Sequence, residues 1–425
     1  MGRQVAVEKR ASIARRLEFL PIKVFAAILV VIAFIVEAVH AAQVGDCESL
    51  VQQKPRRLED SDSRQESKEE PDVSLFEMAG GLLEGSSPEF VGLLQEIDKK
   101  MRPFWNFTLR RDRCLEMVNT LTHTKGKLSK LSKLSKLEIH TGVFLPQGRF
   151  GEGWADPLRK LRLAPMSFLA SQDLSRVKLH VWSNVAPENE ALKQVFEPLL
   201  KNPAYADSIE VSYFDAEKEA AKVAATLYTK PLEKTLYDVY TNQTDLTSLS
   251  DLMRVILLYN YGGAWIDSDV LLIRDMTPIL EEDWAYLGQR TYINNAVMST
   301  SKPQSPFMQA YLSYVVGIQL SRGHAWYGPR ILKALALQMQ MGLTEARFHV
   351  LPQCFFDGAW QHLPNATGWN QFFTEEAHPE QVWYIDPNES HNAFAFHWHG
   401  RWKLPIESGS LADKAEQLYS KMLGI

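Results

Sequence analysis

Leu249, Leu252, Met253, Ile256 and Tyr259 recur at helical spacing and predict an amphipathic helix with one buried face. Ser248 stands at the expected N-cap, with Asp251 three residues on as the acidic partner of a capping box. Gly262-Gly263 follow the last turn as a left-handed stop. Ala264-Trp265-Ile266 is short and apolar throughout, as suits a central strand, and runs into Asp267-Ser268-Asp269. Alternate residues of an extended chain project to one side, so Asp267 and Asp269 are expected to point together beyond the strand's end.

Elsewhere, Leu137-Glu138-Ile139-His140, Val177 to Trp182 and Ile209 to Phe214 read as strands separated by helical patterns. They predict one large α/β domain over 136–425, about 290 residues and within the range of a single unit. Near its end, Ala393 to Gly400 alternates, with Phe394, Phe396 and Trp398 on one face and His397 and His399 on the other. The aromatic face belongs in a core, which leaves the histidines to reach an opening at the strand's end.

The first third of the chain has a different pattern. Val24 to Val36 is an unbroken apolar run that extends through Ala42 with interruptions at Glu37 and His40, about the length that spans a bilayer. Arg3, Lys9, Arg10, Arg15, Arg16 and Lys23 precede it, and Asp46 and Glu48 follow. The positive-inside rule then places 1–23 in the cytosol, a signal anchor at 24–43 and the remainder in the lumen, as a single-pass type II protein. A cleaved signal peptide is the competing reading, since Val39-His40-Ala41 resembles a cleavage site and the protein would then be secreted. Lys54 to Asp72 is charged and Ser-rich with hardly an apolar residue, so 44–135 is expected to be a stem, with a small helical region at 76–122. Lys127 to Leu137 repeats Lys-Leu-Ser and reads as a solvated linker or a basic amphipathic surface helix.

Composition adds little to this and removes some alternatives. A net charge of -5 gives no reason to invoke nucleic acid, and 45% hydrophobic residues suffice for a core of this size. Three cysteines, Cys47, Cys114 and Cys354, are too few for a disulfide scaffold; Cys114 with Cys354 is a candidate single bridge. Asn106, Asn242, Asn365 and Asn388 each begin an N-glycosylation acceptor tripeptide, in keeping with lumenal exposure.

The candidate chemistry centres on Asp267 and Asp269. Two carboxylates held close repel each other unless a cation sits between them or one is protonated. Hard oxygen ligands with open positions suit Mn²⁺ or Mg²⁺, which complete their shell with diphosphate oxygens and neutralise a leaving nucleoside diphosphate. Asp60-Ser61-Asp62 carries the same letters inside aperiodic charged sequence and reads as a polar turn, so it is the context that distinguishes the second copy. Asp251 and Arg254, three apart on one helix, would by themselves be an ordinary surface ion pair, but their helical neighbours are mostly apolar.

The block from Asp251 to Asp275, an Asp-x-x-Arg helix, Tyr261-Gly262-Gly263, an apolar strand and Asp267-x-Asp269, resembles the glycosyltransferase family with a sugar-binding DXD motif. That family includes α-1,4-galactosyltransferases, initiating α-1,6-mannosyltransferases and inositol-phosphorylceramide mannosyltransferases. Asn294-Asn295-Ala296-Val297-Met298, Ser305-Pro306-Phe307 and Tyr327-Gly328-Pro329 echo the same family and extend the resemblance from Lys136 to Trp402. His397-Trp398-His399-Gly400-Arg401-Trp402 resembles its His-x-x-Gly-Ser-Trp ending, with Arg401 in place of serine. The resemblance implies a GT-A fold, a Rossmann-like α/β sandwich, and retaining transfer from a UDP- or GDP-hexose to a glycan or glycolipid acceptor in the Golgi. It also implies Asp269 and His397 as metal ligands, Asp267 bridging metal and donor, Asp251, Arg254 and Trp402 as substrate contacts, and Asn294 or Asn295 near the anomeric centre. The Arg401 departure keeps a second reading open, an inactive nucleotide-sugar-binding or lectin-like protein of the same fold. A metallohydrolase is disfavoured because no second metal cluster or activating base stands out in the sequence.

Overall fold

The computed structural model describes residues 118, 136–227, 237, 246–288, 293–322, 328–341, 344–357, 368–389 and 393–425, all within one compact unit spanning 103–425. The apolar run at 24–43, the stem apart from Val118, the Lys-Leu-Ser repeat up to 135, Cys47, Cys114, Asn106, Asn242 and Asn365 lie outside the described residues. Among the described residues no helix is long and apolar enough to cross a membrane.

Seven strands form the central sheet in the order β3-β2-β1-β4-β7-β6-β8. They are β1 (Leu137–Val143), β2 (Val177–Ser183), β3 (Ile209–Tyr213), β4 (Gly263–Ile266), β6 (Trp284–Leu287), β7 (Ile293–Thr300) and β8 (His349–Leu351). β1 pairs in parallel with both β2 and β4, and β2 with β3; β7 runs antiparallel to β4 and β6, and β8 is parallel to β6. Only β7 is therefore reversed. A separate ribbon pairs β5 (Val270–Leu272) with β9 (Ala395–His397) in antiparallel fashion.

Helices cover both faces. On one lie α1 (Pro157–Ser171), α2 (Glu190–Leu200) and α9 (Leu411–Leu423), packed with Leu179, Val181, Ala264 and Ile266. On the other lie α3 (Ala216–Leu227), α4 (Leu246–Tyr261), α5 (Pro306–Arg322) and α6 (Pro329–Met341), packed with Trp182, Trp265 and Met298. Successive residues of β4 thus enter opposite cores, as a strand buried on both sides requires. α7 (Gln371–Thr374) and α8 (Pro379–Ile385) lie near the C-terminal end, and Val118 is fully buried in the first core.

The expected strands at 137, 177 and 209 are present with ends shifted by at most a few residues. Two local expectations change. α4 begins at Leu246, so Ser248 lies inside the helix rather than at its cap. Residues Leu252 through Tyr259 of α4 are all buried, so this helix has no broad polar face.

The chain order matters for function. From β1 the sheet grows outward through β2 and β3, then the chain returns to lay β4 on β1's other side. The strand order reverses between β1 and β4, and crevices outside the carboxyl ends of strands at such a switch point are where α/β folds bind ligands. Asp267 is the residue that follows β4.

Candidate functional site

Asp267 and Asp269 come together by a turn, not by strand alternation. β4 ends at Ile266, and the Val270 amide donates to the Asp267 carbonyl at 3.0 Å, folding the two carboxylates over one loop. β5 then pairs with β9, and the Trp398 amide donates to the Asp269 carbonyl at 3.1 Å. This ribbon carries His397 to Asp269, with Nε2 3.3 Å from Oδ2. One ligand atom from each of Asp267, Asp269 and His397 lies within 4.8 Å of the others.

Arg254 fixes the first carboxylate from below. Its Nη2 lies 2.9 Å from Asp267 Oδ1 and 3.2 Å from Asp251 Oδ1, and Nη1 donates to the Asn295 carbonyl at 2.6 Å. Nη2 also donates to Ser250 Oγ at 3.0 Å, so the planar fork is used in several directions, which an ammonium could not copy. Trp265 Nε1 donates to the same Asp267 oxygen at 2.6 Å. Asn295 Nδ2 donates to Asp251 Oδ1 at 2.8 Å, and Gly328 packs against both side chains at the entry of α6. Arg254 is only 2% exposed, so the Asp251–Arg254 pair is an interior network rather than a solvated surface pair.

The electrostatics separate the two aspartates. Burial pushes the Asp267 carboxyl up to about 6, against the pull of Arg254 and with Asp269 adding to the rise. Asp269 is also raised by burial, but His397, His399 and the Gly400 amide together hold it below the usual carboxylate range. His397 is lifted in turn, because Asp269 outweighs its desolvation. Asp267 and Asp269 keep 23% and 14% side-chain exposure, so both remain reachable from solvent.

Two part-exposed carboxylates and a buried imidazole form a donor set that a divalent ion fits. Oxygen-rich ligation with room for further ligands suits Mn²⁺ or Mg²⁺. Burial is the main cause of the rise at Asp267, and the repulsion from Asp269 that adds to it is what such an ion would offset.

The structure distributes the other sequence-predicted residues in different ways. Asn295 joins the Asp251–Arg254 network; the Asn294 side chain instead folds back to accept from the Ala296 amide at 2.8 Å. Trp402 stacks on Trp154 with centroids 4.6 Å apart and lies beside Gly400, whose amide donates to Asp269 Oδ2 at 2.6 Å. Arg401 is turned to its own loop, with Nε donating to Asn370 Oδ1 and Nη1 to the His399 carbonyl, both at 2.9 Å. Asn388 is exposed and hydrogen-bonds through Nδ2 to Asp386. Cys354 is fully buried and disulfide-bonded.

Several contributors escaped the sequence reading. Ser250 and Trp265 brace Arg254 and Asp267 through polar atoms on residues that read as plain helix and core. Trp154 gives no periodic signal. Asp357 follows the run Cys354-Phe355-Phe356, and an ionisable residue after so apolar a run is a signal of enforced burial.

A family profile described as capsular polysaccharide synthesis protein matches residues 228–317, a span that contains Asp251, Arg254, Asp267, Asp269 and Asn295. No curated protein matches the sequence. Among solved structures the chain is similar to the PaToxG glycosyltransferase, at 14% identity and a TM-score of 0.34, covering 55% of this chain and 81% of that one. It is also similar to the bacterial N-acetylglucosamine transferase NleB, at 10% identity and a TM-score of 0.29, covering 50% of this chain and 88% of that one. A third, the UDP-bound glycosyltransferase domain from the YGT toxin, has 10% identity and a TM-score of 0.28, with coverages of 49% and 68%.

Proposed function

We propose that this chain is a metal-dependent, retaining glycosyltransferase of the GT-A type that moves a hexose from a nucleoside diphosphate sugar to a glycan or glycolipid. The observation that carries the reading is the convergence of Asp267, Asp269 and His397 at the carboxyl end of β4, on a buried frame made by Arg254. The family match over 228–317 covers that frame and supports polysaccharide chemistry.

Bound Mn²⁺ or Mg²⁺ would supply Lewis-acid neutralisation of the departing diphosphate. The chain's own groups do the rest. Asp269 and His397 would hold the ion, with Asp267, oriented by Arg254 and Trp265, as the carboxylate between ion and donor; Asp251, fixed by Arg254 and Asn295, would offer its part-exposed carboxylate to sugar hydroxyls. Trp402, stacked on Trp154, presents a half-buried aromatic wall beside Gly400, suited to the C–H face of a sugar. No protein nucleophile is assigned: in same-face transfer the leaving phosphate oxygen takes the acceptor hydroxyl's proton as the new C–O bond forms. Arg401 is engaged by Asn370 and His399, so its substitution for serine braces the loop and need not abolish transfer.

The same proposal places the domain in the lumen of the secretory pathway behind an anchor at 24–43. The Cys354 disulfide supports an oxidising compartment.

Asp269→Ala is expected to abolish Mn²⁺-dependent release of hexose from a panel of UDP- and GDP-sugars while far-UV circular dichroism stays unchanged. Replacing Asp60 and Asp62 with alanine should leave the rate as it was. Hydrolysis surviving in Asp269→Ala, or lost equally in the linker variant, would overturn the reading.

A further inference from the structure

Overlapping the proposed metal ligands at His397 lies a second cluster, whose Asp357 and His399 the transfer reaction does not use. Asp357 is fully buried, pinned by a β-bridge to Phe396 and by its amide, which donates to the Gln353 carbonyl at 2.8 Å. Its Oδ2 accepts from His399 Nε2 at 2.7 Å, while Oδ1 is buried with no hydrogen-bond partner. A carboxylate oxygen withdrawn from water and left unpaired costs about 1–3 kcal/mol or more, so a group should complete it.

His399 is held toward this carboxylate at a backbone cost. Its φ is +51°, in the left-handed region that non-glycine residues adopt at about 1–2 kcal/mol. The ring stacks on His397 with centroids 3.7 Å apart and against Trp369 at 4.5 Å. One ligand atom from each of Asp357, His397 and His399 lies within 4.8 Å of the others. A tetrahedral ion holds neighbouring ligand atoms about 3.3 Å apart, so the Asp357–His399 contact need open only slightly to admit one.

The donor chemistry differs between the two clusters. Asp267 and Asp269 present mainly hard oxygens, while Asp357, His397 and His399 present two imidazoles and one carboxylate, the set that favours Zn²⁺ over Mn²⁺ or Mg²⁺. His397 belongs to both. A neutral imidazole has one acceptor nitrogen, so it serves one ion at a time.

We propose that Asp357, His397 and His399 form a second, Zn²⁺-class cation site that competes with Asp267 and Asp269 for His397. Binding there displaces the proton shared by His399 and Asp357 Oδ2 and sets a cation beside a buried carboxylate whose other oxygen has no partner. The ion also withdraws His397 from the oxygen-rich site, which makes Zn²⁺ an inhibitor. That last consequence rests on the metal-dependent transfer proposed above; the binding does not.

The test is calorimetric titration of the full chain with ZnCl₂ alone. The double variant Asp267→Asn, Asp269→Asn should keep Zn²⁺ affinity within about threefold, whereas His399→Asn should lower it by at least about tenfold, the loss that even an outer-shell partner of a ligand brings. Asparagine tolerates positive φ, so His399→Asn spares the loop; Asp357→Asn, provided it folds, should match it. Unchanged Zn²⁺ affinity in His399→Asn, or loss of binding in the double variant, would overturn the site. Zn²⁺ should also inhibit Mn²⁺-dependent hydrolysis in the wild type and do so less in His399→Asn; equal inhibition in both removes the regulatory claim. Absence of any hydrolysis across the donor panel would sink the transferase reading while leaving the Zn²⁺ titrations interpretable.

Discussion

Lys160, on α1, is fully buried, an uncommon place for an ammonium. Its Nζ donates to the Arg401 carbonyl at 2.6 Å and to the Leu404 carbonyl, and lies 4.3 Å from the Phe373 ring centroid. These contacts hold the loop that follows His397, so Lys160 acts as a positioning residue for the site rather than a member of it. Burial lowers its pKa from 10.5 to about 8, with Asp156 opposing. Between those values the unfolded chain binds the proton more fully than the folded chain, so stability rises as pH climbs from about 8 to about 10.5. The same contribution is lost as pH falls through about 8. The interval is worth at most about 3 kcal/mol. Lys160→Met, which removes the titrating group, should flatten that rise in urea-unfolding free energy; parallel wild-type and variant profiles across the interval would contradict the assignment.

The element that matters most is the unit formed by α4, Gly262-Gly263 and β4, because it aims Asp267. Gly263 has φ +81°, and a Cβ there would drive into the Glu138 carbonyl, a backbone atom of β1, which is held between β2 and β4. Gly153 has a comparable φ of +75° with nothing within 4 Å. The pair separates conformational cost from steric cost. Gly153→Ala should lose about 1–2 kcal/mol of stability. Gly263→Ala should lose several times more and, by shifting β4 against β1, weaken Mn²⁺-dependent hydrolysis; equal thermal shifts for the two would show that the close approach is unimportant. This unit was also the most legible in the sequence, since helical spacing, a double glycine and an apolar strand are local signals. Where the reading failed, the deciding contacts were distant. Ser248 is not the cap because α4 begins earlier, and the carboxylates converge through a turn stabilised by β9, well over a hundred residues away in the chain. His397 was found through a motif, but Asp357, which completes the His399 contact, has no periodic partner that would reveal it.

At the scale of the whole molecule, the Cys354 disulfide bears on the compartment in which the chain folds. Cys354 is disulfide-bonded, and the sequence has only Cys47 and Cys114 as partners, so either pairing closes a loop of more than roughly 200 residues, worth about 5 kcal/mol in the chain-entropy account. Such bonds persist in oxidising compartments, where an exposed Asn-x-Ser/Thr tripeptide also becomes a glycosylation acceptor. Asn388 heads such a tripeptide and is exposed after α8. A lumenal domain therefore predicts two linked outcomes when the full chain is made in a secretory host. Endoglycosidase treatment should reduce its mass, by one glycan less in Asn388→Gln, and dithiothreitol should lower its thermal midpoint. A product with no glycan and three reactive thiols would overturn the lumenal placement. The seven-stranded sheet and the crevice at β4 would stand, but the acceptor would then have to be sought among cytosolic molecules.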